Sequence, residues 1–516
     1  MSKKLLKTTS LVSLMTMISR ILGFIRDTLA AQIYGASASV DAFYVAFKIP
    51  NFMRNLFAEG SFSQAFVPVL SEYKHQREKE DVKRFISHIS ASLSLVLLFI
   101  TVIGVLGAPF IIKLFAPGYK PELPQFQMAS DMLRITFPYL MLISLTALAG
   151  AILNTYGNYA SPAFTPVLLN IILILAALYL SPYCKIPVEA QAWGVLAAGF
   201  IQLFFQCFYL ARKGFLIRPK LNWQNEGVKR VLKLMIPALF GASIGQLSVL
   251  LNTIFASFLA IGSVSWLYYA DRLAYFPLGV FGVALATVVL PHLSATHAQK
   301  SPMAFASTLD WGIRCNLLIG IPAAVTLMVL AGPLIISLFH YGQFTFHDVA
   351  MTRQSVLAYS LGLTSFMLVK VLSAAFYAIQ DIKTPVRIGI ISILIGIFFN
   401  FIFVNWMGQS GLALGTSLSS WVNTLLLLHL LHKRGIYQFQ QGWFLFLLRL
   451  LVANTLVGFI LWSLSGNIEQ WLIWHWNQRL LHVFYLGIMA ILAYLASLWL
   501  TGMRIRDLRI VQSMES

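Results

Sequence analysis

Apolar residues fall in long runs along this chain, with polar residues confined to short intervals between them. Runs of the roughly 20 residues that cross a hydrocarbon core lie near 8–34, 39–73, 83–107, 129–156, 161–182 and 190–212. A second set lies near 228–260, 264–296, 304–330, 350–379, 385–406 and 410–432, and two more near 441–466 and 479–502. The pattern predicts an all-α polytopic membrane protein with about fourteen transmembrane helices.

The pattern breaks most sharply at its start. Between Thr16 and Glu59, two apolar segments carry Arg20, Arg26, Asp27, Asp41, Lys48, Arg54 and Glu59. Arg20 lies about 20 Å along a helix from the nearest basic residue on its N-terminal side, Lys7, too far to snorkel to the headgroups. A charge at such depth costs about 2.5–3.5 kcal/mol and usually marks a substrate or ion path. Asp27, seven residues after Arg20, lies on the same helix face, so a structural ion pair and a functional pair are both open. Asp271 beside Arg272, and Glu59 near Arg54, leave the same choice. Arg134, Arg314, Arg353, Lys370 and Arg449 also interrupt apolar stretches, several near helix ends, where snorkelling is the commoner explanation. Gly23, Gly35 and Gly60 are candidate hinges.

The chain also repeats itself. Val40, Tyr44, Ala46 and Lys48 match Val264, Tyr268, Ala270 and Arg272, and Pro68, Leu70 and Ser71 match Pro291, Leu293 and Ser294. APFIIKLF from Ala108 returns as GPLIISLF from Gly332, with the offset staying at about 223 residues. An even number of helices per repeat predicts two lobes of parallel orientation, related by a pseudo-twofold axis along the membrane normal and enclosing a central cleft. The expected division is 1–220 for the first six-helix lobe, 221–436 for the second, and 437–516 for two C-terminal helices with a short tail. Lys48 and Arg272 are equivalent in the two repeats, which suits a shared anionic guest.

Composition agrees with the pattern: 58% of the 516 residues are hydrophobic and 11% charged, against about 25% charged in soluble domains. The formal net charge of +19 does not point to nucleic acid, because the basic residues cluster in short loops. Lys74 to Arg84, Arg212 to Lys233, Lys433 and Arg434, and Arg504 to Arg509 fall on one side; the other holds little beyond Lys113, Lys120, Lys185 and Arg479. That asymmetry places both termini in the cytosol. Cys184, Cys207 and Cys315 have no metal-binding or paired spacing, and no phosphate-binding GxxxxGK[ST] loop occurs, so no metal and no cofactor are expected.

Three segments carry a family resemblance: SLMTMISRILGFIRDTLAAQIYGAS, DAFYVAFKIPNFMRNLFAEGSFSQAFVPVLSEY, and YYADRLAYFPLGVFGVALATVVLP. They closely resemble the MurJ (MviN) family of lipid II flippases, in the MOP exporter superfamily, and the resemblance runs over nearly the whole chain. It implies two six-helix lobes working by alternating access in the bacterial inner membrane, and a C-terminal helix pair whose groove takes a polyprenyl tail. It also implies lipid II as the partner, with membrane lipids around it. The family's critical cations fall on Arg20, Arg26, Arg54 and Arg272, and its matching lumen residues on Asp41, Glu59, Ser265 and Asp271. Many relatives carry an acid three positions after Arg272; this chain has Tyr275. Segment 385–406 has no carboxylate, only Asn400, so no sodium site is carried over and the coupling ion is not named.

Arginine suits a pyrophosphate because its planar fork makes two hydrogen bonds to phosphate oxygens and stays charged. The rivals are an exporter of another polyprenyl-linked glycan, a MATE-like drug or cation antiporter, which would favour acidic rather than basic positions, and a glycan polymerase. The last needs a positioned base, and His340 and His347 have no evident partners in the sequence.

Overall fold

The computed structural model describes residues 3–55 and 62–504, with side chains from residue 10 onward and not for 237–246. Glu59 and Gly60 lie outside the described residues. Among those described the secondary structure is helical, without strands, and the chain forms two compact units, Met1–Ser265 and Trp266–Ser516.

The first unit contains α1 (Lys3–Tyr34), α2 (Ala38–Arg54), α3 (Ser63–Gln76), α4 (Lys79–Leu106), α5 (Ala108–Phe115), α6 (Pro124–Thr136), α7 (Tyr139–Thr155), α8 (Ala160–Leu175), α9 (Glu189–Arg212) and α10 (Glu226–Ala256). Then follow α11 (Ser263–Pro277), α12 (Val283–Ala298), α13 (Pro302–Val329), α14 (Ala331–Phe339), α15 (Phe346–Ala378), α16 (Lys383–Met407), α17 (Gln409–Lys433), α18 (Trp443–Ser465), α19 (Ile468–Ile473) and α20 (Trp476–Leu500). Gly35, at φ +66°, ends α1 in a left-handed turn that a Cβ would strain. Gly23 lies inside α1, which continues through it unbroken.

Among the described residues, eleven helical spans are long and apolar enough to cross a membrane. The expected spans at 8–34, 39–73 and 228–260 are helical too, as α1, α2 with α3, and α10, but are not among these eleven. Each of the three includes residues that are not described with their side chains, at 8–9, 56–61 and 237–246 respectively.

The duplication is visible in the cores. In the first unit Phe66, Leu70, Val82, Ile86, Leu148, Ala149 and Leu153 pack together from α3, α4 and α7. Residues 223 positions later, Val289, Leu293, Phe305, Leu309, Val371, Leu372 and Phe376, form the core of the second unit from α12, α13 and α15. The short α5 and α14 repeat as well. α10 packs on α3 and α4 inside the first unit, contributing Val228 and Val231 to its core. Phe99, Leu106, Phe204, Phe398 and Phe484 stand exposed on the outer faces of apolar helices. In water that would be a liability; in lipid it is the ordinary solvent-facing surface.

Candidate functional site

In the first unit the charges sit on α1 and α2. Arg26 binds its neighbour Asp27, with Nη2 2.6 Å and Nε 2.9 Å from Oδ1. Its Nη1 also donates to Asn170 Oδ1 on α8 at 3.1 Å. Asn170 Nδ2 in turn donates to the Ser19 carbonyl at 2.9 Å, so one amide ties α1 to α8 and orients the Arg26 fork. Asp27 is buried. Arg20, by contrast, is exposed and has no ion-pair or hydrogen-bond partner among the described residues.

Arg54, half-buried at the end of α2, donates to Asn55 Oδ1 at 3.3 Å and lines a cavity of about 300 Å³. Thr146, Asn154, Thr165, Gln202 and Gln206 from α7, α8 and α9 share that cavity, which makes it polar inside an apolar bundle. Lys48 is half-buried on the same helix as Arg54.

Asp41 and Ser265 are spent on each other. Asp41, 3% exposed, accepts from the backbone N–H of Gly262 at 2.6 Å and of Ser265 at 2.8 Å, and from Ser265 Oγ at 2.6 Å. This carboxylate therefore caps the N-terminus of α11, where unpaired N–H groups and the helix dipole favour a negative charge.

In the second unit Arg272 is exposed; Nη2 donates to Tyr268 Oη at 2.8 Å while the guanidinium lies 4.7 Å from that ring's centroid. Its neighbour Asp271 is half-buried and accepts from the Tyr359 hydroxyl on α15. Tyr275, in place of the relatives' acid, packs against Tyr359 and Phe366 with ring centroids 6.0 and 5.3 Å away.

Several polar groups that interrupt the apolar pattern hold the second unit together. Asp310 accepts from Arg314 Nε at 2.7 Å, Tyr437 Oη at 2.6 Å and Trp443 Nε1 at 2.7 Å. Arg314 is thus a paired residue, stacked 5.1 Å from the Trp443 ring centroid, rather than one that reaches for the headgroups. Arg479, counted above with the loops, is 5% exposed and donates to the carbonyls of Ile336, His340 and Leu472. His340 Nδ1 lies 2.9 Å from the Phe344 carbonyl, a backbone contact, and His347 meets the edge of Trp266. Sequence reasoning missed Asn170 and Asp310; the signal for Asn170 was a lone polar residue within the apolar run VLLNIILIL, and for Asp310 a carboxylate four residues before Arg314. Among the described residues no three His, Cys, Asp or Glu side chains form a group that holds a metal.

A duplicated bundle with cations set within the apolar runs of its first helices is the architecture of a multi-span membrane transporter. A MATE family transporter of the MOP superfamily, solved facing inward, matches 83% of this chain and 97% of its own at TM-score 0.69 and 15% identity, which shows the fold. The chain belongs to the lipid II flippase MurJ family, whose model matches residues 30–481. A probable lipid II flippase MurJ of Vibrio cholerae is 47% identical over 98% of both chains. The lipid II flippase MurJ of Burkholderia cenocepacia is 43% identical over 87% of this chain and 88% of its own. A lipid II flippase MurJ solved in an inward closed conformation covers 96% of this chain and 99% of its own, at TM-score 0.79 and 27% identity.

Proposed function

We propose that this protein moves lipid II from the inner to the outer leaflet of the bacterial cytoplasmic membrane by alternating access, with both termini in the cytosol. The observation that carries the reading is Arg20: an exposed guanidinium with no partner among the described residues, within an apolar run of α1. An unpaired intramembrane charge is retained against its insertion cost only where a counter-ion arrives. Arg26, held by Asp27 and Asn170, and Arg54, facing a polar cavity, supply further cations from the first unit, and Arg272 supplies one from the second.

Lys48 and Asp271 support these groups, Asp27 fixes Arg26, and Asp41 with Ser265 fixes the start of α11. The lobes that rock are 1–220 and 221–436, with 437–516 carrying the tail groove. Outward movement of an anion down an inside-negative potential is favourable by about 2.3 kcal/mol per charge per 100 mV, a drive that needs no ATP.

The test is sidedness. In cells depleted of the protein, lipid II should accumulate and be shielded from an impermeant reagent that attacks outward head groups. The wild-type gene should restore access, and Arg20→Ala and Arg272→Ala should not. Unchanged access on depletion would refute lipid II as the substrate and leave another polyprenyl-linked glycan, or a drug or cation, as the cargo.

A further inference from the structure

We propose that the second unit carries a binding site for the phosphate of an anionic glycerophospholipid, centred on Arg449. Arg449 lies on α18 six residues after Trp443, about 9 Å along the helix. Its guanidinium points toward the end of α20, with Nη2 3.2 Å from where a Cβ on Gly502 would stand. A side chain at Gly502 would crowd that position, and its φ of +84° favours glycine in any case.

There the guanidinium lines a pocket of about 440 Å³ together with Arg314, Gly442, Phe446 and Met503. Arg314 is already committed: its Nε serves Asp310 and its Nη2 the Gln441 carbonyl at 3.1 Å. Arg449 is not. It has no hydrogen bond or ion pair among the described residues, and its Nε is buried without a partner.

Snorkelling explains the direction of the side chain but not a buried, unsatisfied nitrogen beside a second arginine. A buried donor on a charged group left unmade is costly, and Asp310 is engaged by Arg314, which leaves Arg449 without a carboxylate partner among the described residues. The pocket lies where α18 begins and α20 ends, the end whose flanking chain carries Lys433 and Arg434 before α18 and Arg504 after α20, where headgroups of anionic lipids gather.

The adjacent wall is what acyl chains need: Phe444, Leu445 and Leu448 of α18 are exposed and apolar. A phosphodiester on Arg449 with its chains along α18 satisfies the charge and the surface together. The same phosphate chemistry exists in free phosphate and in a polyprenyl pyrophosphate, and the experiment separates the three.

The full-length protein, purified and stripped of lipid in detergent, is titrated by native mass spectrometry with phosphatidylglycerol, phosphatidylcholine, inorganic phosphate and undecaprenyl pyrophosphate. Wild type should retain phosphatidylglycerol in preference to phosphatidylcholine. Arg449→Gln should weaken that retention by about tenfold or more; Arg449→Lys, which keeps the charge but loses the fork, should fall between. Arg84→Gln, on exposed α4 in the first unit, should bind as wild type. Arg449→Gln should also melt no lower than wild type in the absence of lipid, since it removes no hydrogen bond or ion pair. Equal phosphatidylglycerol retention by Arg449→Gln and wild type overturns the site. So does inorganic phosphate displacing the lipid at equal concentration, which makes it a free-anion site, or an Arg449 dependence seen for undecaprenyl pyrophosphate alone.

Discussion

Replacing Asp41 separates a structural carboxylate from one that touches substrate. Asp41 is 3% exposed and accepts three hydrogen bonds, two from backbone N–H groups and one from Ser265 Oγ, all between 2.6 and 2.8 Å. Hydrogen bonds to a charged group contribute about 1.5–3 kcal/mol each, less when they share one acceptor, and the donors left behind would be buried and unsatisfied. Asp41→Ala should therefore cost about 3–5 kcal/mol. At about 2 °C per kcal/mol for a unit of this size, that is a fall in Tm of about 6–10 °C. Asp41→Asn keeps the shape and one acceptor oxygen, which suffices for the two Ser265 donors on Oδ1. Its amide then faces the Gly262 N–H, donor against donor, for a loss of about 1–3 kcal/mol. Ser265→Ala removes one bond and should cost about 1 kcal/mol. The assay is thermal unfolding of purified variants in one detergent, read by intrinsic tryptophan fluorescence, beside transport in cells. The order Ala, Asn, Ser265→Ala, wild type in rising Tm is expected. An Asp41→Ala protein that melts with wild type yet fails to transport would refute the capping argument and place Asp41 in contact with the cargo or its counter-ion.

Asp310→Ala should be as damaging, by about 3–5 kcal/mol, because it strands the half-buried Arg314 charge and the Tyr437 and Trp443 donors; limited trypsin digestion should then cut faster after Lys433 or Arg434, in the connection those donors fasten. Asp381, in the loop between α15 and α16, is subject to burial that would raise its carboxyl, but Arg434 and both the hydroxyl and N–H of Thr384 hold it down at about 2. A carboxyl depressed on folding stabilises above its unfolded value of about 3.9 and loses that contribution as pH falls through the folded value. The deficit of Asp381→Asn relative to wild type should thus be constant at neutral pH and shrink between about pH 4 and pH 2, and a deficit unchanged across that window would show that the pair does not act through charge.

The architecture was legible in the chain because its two signals are one-dimensional. A span is about 20 apolar residues whatever its neighbours, and the duplication, once aligned, places Val289 on Phe66 and Phe376 on Leu153, core upon core. The cations at Arg20, Arg26, Arg54 and Arg272 were equally visible, since a charge within an apolar run stands out without knowledge of the fold. Their partners were not visible. Periodicity offered Arg20 to Asp27, seven residues apart on one face, whereas the adjacent Arg26 curls back to take that carboxylate and is steadied by Asn170 from a helix 144 residues on. Asp41 reads as one more charge on α2, yet it is consumed by the start of α11, a helix 221 residues away along the chain. Arg479 looked like a loop cation and is buried on three carbonyls, while Arg449 looked like a snorkelling one and is left with a buried, unmatched nitrogen. The sequence by itself determined the all-helical, apolar character of the chain and how many charges its apolar runs carry, because partition into lipid depends on local composition. Which charges are neutralised and which stand ready for a guest was decided only by tertiary structure, because a hydrogen bond is settled within about 3 Å and the chain brings distant residues to that range only by folding.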